Sequence, residues 1–255
     1  GCSARRLDDQ DVSASGSAAA GQDLLLLPGM MCDPRLWAAQ VPALAEQHRV
    51  RIGSMVDDIS VEAMAARQLA AMPPRFALAG LSMGAIVALA MWRQAPERIE
   101  RLALLDTNFR ADTPERRDLR DAQMAEVKQG HLRRVLRDEL KPHYLAECHR
   151  ENTALLDEVV DMGMQLGADV FVRQSVALRD RPDSSATLDT INCPTLVLCG
   201  DEDRLCPVAL HREMAGRIAG AELRIVPHCG HLSTMEQPDA VTAALTEWLQ
   251  IPDNN

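Results

Sequence analysis

Short apolar runs recur along the chain at the spacing of buried strands, each followed by a segment of helical periodicity. Strands are expected at 24–27, 50–55, 76–79, 102–105, 194–199 and 223–226. Helical patterns fall at 36–47, at 60–71 with Ser60 as N-cap, through the Ala/Leu/Met run that follows Gly84, at 208–218 and at 238–249. The first, third and fourth runs are apolar without alternation, as in strands covered on both faces. Strands and helices alternating at this spacing predict an α/β fold, a mostly parallel, doubly wound sheet with right-handed crossovers.

The pattern changes near residue 111. Residues 112–181 are rich in Arg, Asp, Glu and Leu, with helical patterns near 114–128, 131–140, 152–166 and 169–179 and no strand between them. A block this long exceeds an ordinary crossover, so a helical insertion is expected. The domain division expected is therefore a core of 23–110 and 190–255, with an inserted helical cap over 111–189. Residues 1–22 are polar, small and Ser/Ala/Gly-rich, which predicts a disordered tail. The opening Gly1-Cys2 pair has no apolar signal segment beside it to support a lipidated end, and a truncated terminus is expected.

Composition narrows the function classes. The 255 residues can bury a full core, and the formal charge of −10 argues against a nucleic-acid partner. No apolar run reaches membrane-spanning length. Seven cysteines, without a C-x-x-C pair, predict neither a disulfide framework nor a metal site, and fit small buried hydrophobes in a reducing cytoplasm. Cys32 and Cys229 fall beside candidate functional loops, where they would confer thiol-reagent sensitivity. Aromatic residues make up only 3%, so a pocket lined mainly by Leu, Met, Val and Ala is expected.

The chemistry begins at Gly80-Leu-Ser-Met-Gly84, between a strand and a helix. This is the context of a G-x-S-x-G nucleophile elbow, in which the serine sits on a sharp turn at the rim of the sheet and at the start of a helix. Two further residues lie just beyond strand ends on the same edge: Asp203, in Gly200-Asp-Glu-Asp203-Arg-Leu-Cys-Pro207, and His231, in His228-Cys-Gly-His231. Asp201 and Asp106 compete with Asp203 as the carboxylate. Of the other histidines, His228 reads as structural, and His48, His131, His143, His149 and His211 as surface residues. Trp37 and Trp92 read as packing residues, and the Arg/Glu alternation over 115–139 as a solvated helix face.

Three motifs together, Gly80–Gly84, Gly200–Pro207 and Gly230-His231 followed by Glu236-Gln-Pro238, make the sequence resemble the α/β-hydrolase superfamily, in its small esterase and enol-lactonase branch. The Ser, Asp, His order is that of this superfamily's triad. A serine at the elbow argues against the dehalogenases and epoxide hydrolases of similar fold, which place an aspartate there. The resemblance spans about 23–110 and 190–252, with the helical block standing where the family inserts its cap. Pro28-Gly29 stands where the family commonly has His-Gly, Ala85 where it commonly has a second glycine, and the family's N-terminal hairpin is not expected in the polar stretch before Leu24.

The resemblance implies a serine hydrolase acting on a small-molecule carboxylic ester or lactone through an acyl-enzyme. Ser82 would be the nucleophile, His231 the general base and acid, and Asp203 the group that orients His231. It implies an oxyanion hole from the backbone N–H groups of Met30 and Met83. No cofactor and no metal are expected. Two readings stay open beside it: a thioesterase or carbon–carbon bond hydrolase with the same residues, and a ligand-binding signalling protein that retains them. Leu132, Leu136, Leu166, Val170 and Phe171 are candidates for the specificity wall. Oligomeric state is not readable from the residues.

Overall fold

A computed structural model of the chain describes residues 21–253; the expected tail lies outside them except for its last two residues. Six strands, β1 Asp23–Leu27, β2 Arg49–Ile52, β3 Phe76–Leu81, β4 Ile99–Leu105, β5 Thr195–Gly200 and β6 Glu222–Val226, form one sheet in the order β2-β1-β3-β4-β5-β6. Every neighbouring pair is parallel. The order reverses between β1 and β3, and beyond their carboxyl ends the loops diverge to leave a crevice.

The strand pleat sorts the apolar runs into two cores. Leu25, Leu27, Leu78, Leu102, Leu104 and Val197 face one side, and Leu24, Leu26, Ala77, Ala79, Ala103, Leu105, Leu196 and Leu198 face the other. This is why the central strands read as unbroken apolar runs: both faces are covered. The helices α1 Val61–Ala71 and α2 Met83–Gln94 close the first side, where Trp92 also packs. Trp37 and Trp248 are buried on the second. Fully burying each leucine contributes roughly 1.5–3 kcal/mol against leaving it in water.

Between β4 and β5 run α3 Pro114–Lys128, α4 Thr153–Leu166 and α5 Ala168–Arg179, with a short α-helical turn and a wider π-helical turn over 132–140. These helices have their own apolar cluster, in which Met124, Val127, Leu132, Val135, Leu136, Val170 and Phe171 pack with Met31 of the loop after β1. The chain returns through β5 to α6 Val208–Arg217, crosses β6, and ends in α7 Pro238–Leu249. No helix among the described residues is long and apolar enough to cross a membrane.

Local signals fix several boundaries. Ser60 caps α1 by accepting the Ala63 N–H at 3.1 Å, as expected. Thr113 caps α3, and Pro114 occupies its first turn, where no N–H is needed. Other expectations are corrected. The helix expected over 36–47 is a 3₁₀ turn, Pro34–Trp37, and a separate short helix, Val41–Leu44. Pro42 lacks the N–H that a continuous helix would use there, and its ring would strike the carbonyl four residues back. Strand β2 stops at Ile52, before Gly53, rather than reaching 55. Strand β4 begins three residues earlier than expected, because Arg101 is buried in it and reaches Asp253 at 3.0 Å.

Candidate active site

Strand β3 delivers Ser82 to the carboxyl edge of the sheet in a backbone conformation that side chains rarely adopt, φ 54° and ψ −113°. Such a residue costs of order 1–3 kcal/mol and persists only where its surroundings over-determine it. Here the Ser82 N–H donates to Leu105 O at 2.9 Å, while its carbonyl accepts from Ala85 and Ile86 N–H and from the Thr107 hydroxyl. The two glycines allow the turn to close. A Cβ at Gly80 would enter the backbone of Gly84, and one at Gly84 would enter the Leu27 carbonyl.

The loop after β6 brings His231 to this turn. Its Nε2 lies 2.9 Å from Ser82 Oγ, and its Nδ1 lies 2.9 Å from Asp203 Oδ2. The second oxygen of Asp203 accepts the N–H groups of Leu205 and Cys206 at 3.0 and 2.9 Å. Both Asp203 and His231 are 4% exposed. Burial pushes the Asp203 carboxyl up, but the His231 imidazole and these hydrogen bonds outweigh it and hold the group below the ordinary carboxylate value. Of the carboxylates that compete in sequence, Asp203 is the one in contact with His231. Asp201 instead accepts the Cys229 N–H at 3.1 Å.

Asp106 lies beneath the serine turn, fully buried at φ 45°, and accepts from Gly200 N–H at 3.0 Å and from the Ser233 hydroxyl. Burial, reinforced by the charge of Asp203, pushes its carboxyl well above the ordinary value. Next to it, Thr107 N–H donates to His211 Nε2 at 3.0 Å. His211 Nδ1 faces the Pro207 carbonyl at 3.1 Å, so the ring is the neutral tautomer with its proton on Nδ1. Burial lowers its pKa in agreement. The surface role expected for His211 is thus corrected. His48 and His149 are half-buried.

Glu236 anchors the histidine loop. Its carboxylate accepts the N–H groups of Gly230, Leu232 and Ala146 at 3.0, 3.2 and 2.7 Å, and faces His149 Nδ1 at 3.1 Å. The His231 N–H donates to Tyr144 O at 2.7 Å, and the two rings lie 5.1 Å apart. The segment before α4 is thereby pinned to the loop that carries the imidazole.

Ser82 and His231 open into a cavity of about 450 Å³ together with Met30 and Met83. Neither methionine's N–H donates a hydrogen bond to another described residue. Ile86, Leu119, Leu140 and Leu178 give the cavity apolar wall. A lining mainly of Leu, Met, Val and Ala is corrected, because Asp112, Arg116, Arg120, Glu139, His143 and Arg181 also reach the cavity. The five wall candidates do not. Leu132, Leu136, Val170 and Phe171, with Leu166 against them, turn toward neighbouring helices, and the polar face of α3 meets the cavity instead.

The described cysteines are all free. Cys32 and Cys229 are buried, and burial raises both thiols, which keeps them as protonated, poorly reactive thiols rather than sensitive ones. Asp203, Cys206 and His231 bring possible ligand atoms within 4.8 Å of one another. Both ring nitrogens of His231 are engaged by Asp203 and Ser82, and burial drives the Cys206 thiol well above its ordinary value, so this set is ill suited to a metal.

Residues 24–244 match the family model described as "Alpha/beta hydrolase family". A thermophilic esterase from Thermogutta terrifontis, solved with malate bound, is 29% identical and superposes with a TM-score of 0.83, covering 91% of this chain and 90% of that one. The enol-lactonase from Burkholderia xenovorans LB400 is 25% identical with a TM-score of 0.80, over 90% and 91% of the two chains. A pimeloyl-[acyl-carrier protein] methyl ester esterase of Nitrosomonas europaea is 24% identical over 86% of this chain and 92% of its own length.

Proposed function

The chain belongs to the alpha/beta hydrolase family, and we propose that within it this protein cleaves a carboxylic ester or lactone through a serine-bound acyl intermediate. The observation that carries the proposal is the unbroken relay from Ser82 Oγ to His231 Nε2 and from His231 Nδ1 to Asp203 Oδ2, each gap 2.9 Å. Likeness to an esterase, an enol-lactonase and a methyl ester esterase supports the bond type.

In this reading a serine hydroxyl, a weak nucleophile at neutral pH, attacks the substrate carbonyl as His231 takes its proton. Asp203, ionised because its carboxyl is held low, keeps the proton of the other nitrogen and stabilises the imidazolium. The negative oxygen of the tetrahedral species is received by the N–H groups of Met30 and Met83, each such donor being worth about 3–4 kcal/mol. His231 then gives its proton to the departing alkoxide, which leaves the acyl group on Ser82. A water molecule repeats the sequence in reverse roles, releasing the acid and restoring the hydroxyl. The block of helices over 111–189 acts as a cap and shapes the acyl pocket.

The test is turnover of a panel of short neutral esters, p-nitrophenyl acetate among them, by wild type and Ser82→Ala. The proposal expects hydrolysis in wild type and a loss of at least about 10³-fold in the variant. Equal turnover by the two would refute it.

A further inference from the structure

One face of α3 supplies two of the three arginines on the cavity wall. Arg116, Leu119, Arg120 and Gln123 are spaced three and four residues apart, so they project together into the space above Ser82 and Met30. Arg181, after α5, joins them. Arg120 and Arg181 share a single carboxylate, Asp112, which is 1% exposed, while their own side chains are 11% and 5% exposed. Arg181 also donates, through Nη1 and Nε, to the carbonyls of Leu178 and Arg110, each at 3.0 Å.

The Nε and Nη2 of Arg120 go to Asp112, but its Nη1 has only the thioether of Met30, at 4.0 Å, for a partner. A thioether is a weak acceptor, so a largely buried guanidinium presents an unsatisfied N–H beside a residue that lines the cavity with Ser82. Arg116 has no side-chain partner among the described residues. The other acid on the wall, Glu139, lies 3.2 Å from Arg134, which also pairs with Glu126 at 2.9 Å. Three guanidiniums against Asp112 and Glu139 leave a surplus of one positive charge on this wall, in a chain whose formal charge is −10. A surplus of charge partly out of water is costly unless an anion meets it. The same cavity is lined by Ile86, Leu140 and Leu178, apolar wall that suits a short aliphatic chain.

We propose that the substrate is an ester or lactone that carries a free carboxylate, which docks on Arg116 and Arg120 while the scissile carbonyl lies at Ser82. This rests on the serine-hydrolase reading above and adds a substrate class to it. A carboxylate is planar and accepts two parallel N–H bonds, which is what a guanidinium offers.

Monomethyl succinate, glutarate and adipate, each compared with its dimethyl ester, test the proposal with p-nitrophenyl acetate as the neutral reference. For at least one chain length, kcat/KM for the half-ester should exceed that for the diester by about tenfold or more, the size of one hydrogen bond to a charged group. Arg116→Gln and Arg120→Gln should each lower that ratio, chiefly through KM, and Arg116→Glu should push it below one. Arg133→Gln, which removes an exposed arginine away from the cavity, should leave the ratio at the wild-type value. Because Arg116 is itself exposed, its variants remain informative even if loss of Arg120 unfolds the chain. A ratio near one at every length, with both esters and the acetate turned over, would overturn the carboxylate site and leave the hydrolase reading standing. An equal fall in Arg133→Gln would also overturn it. No turnover of any ester would remove the hydrolase reading, and this proposal with it.

Discussion

Three buried acids near the serine turn do three different things, and their surroundings decide which. Asp203 faces an imidazole and is held low, Glu236 collects backbone N–H groups, and Asp106 sits between Gly200 and Ser233 with its carboxyl raised. For Asp106 the sign is definite. The folded chain keeps a proton that the unfolded chain, with an ordinary value of 3.8, has released, so stability from this group is present below that value and is lost as pH rises toward the folded one. Asp106→Asn cannot titrate, and its amide can still accept from Gly200 and bond to Ser233. Urea midpoints should therefore shift in favour of the variant as pH is raised from 4 to 8, and a difference constant with pH would contradict this. Ser82, Asp203 and His231 are legible in the chain because the proposed chemistry demands those side chains just past strand ends. Asp106, His211 and Glu236 are not legible as braces. Their roles come from burial and from which N–H groups surround them, and these residues arise far apart in sequence.

At the scale of elements, close approach of backbones sets the tolerance of each turn and helix. At Gly84 an added methyl would meet the Leu27 carbonyl, and at Gly163 only the end of the Leu136 side chain, at 2.6 Å. Backbone in a central strand cannot move aside, whereas a leucine can change rotamer. Gly84→Ala should thus cost more than about 3 kcal/mol, and Gly163→Ala less than about 1 kcal/mol, by chemical denaturation. Comparable losses in the two would contradict the packing described. The strands and most helix starts are legible because they depend on local apolar runs and caps. The break at Pro42 and the early start of β4 are hidden, the first under a continuing apolar period and the second under Arg101, whose partner Asp253 lies at the other end of the chain.

Across the whole molecule, the parallel sheet carries the serine, aspartate and histidine to one edge, and the helices between β4 and β5 meet them there with a polar face. Net charge and composition describe the average surface and say nothing of this contrast: the chain is acidic, yet the cavity wall gathers three arginines. The apolar stripe of these helices is visible in sequence as candidate wall, but it is spent on their own cluster, so the cavity is lined instead by residues that read as a solvated face. In the proposed reaction Ser82 attacks carbonyl carbon with His231 as its base. Its most direct measurement is the covalent adduct formed with an alkyl fluorophosphonate, weighed on the intact protein and mapped by peptide mass. One equivalent on the peptide containing Ser82, absent in Ser82→Ala and greatly slowed in His231→Gln, is the predicted result. An enzyme that hydrolyses esters while Ser82 stays unlabelled, or that is labelled at the same rate without His231, would contradict it.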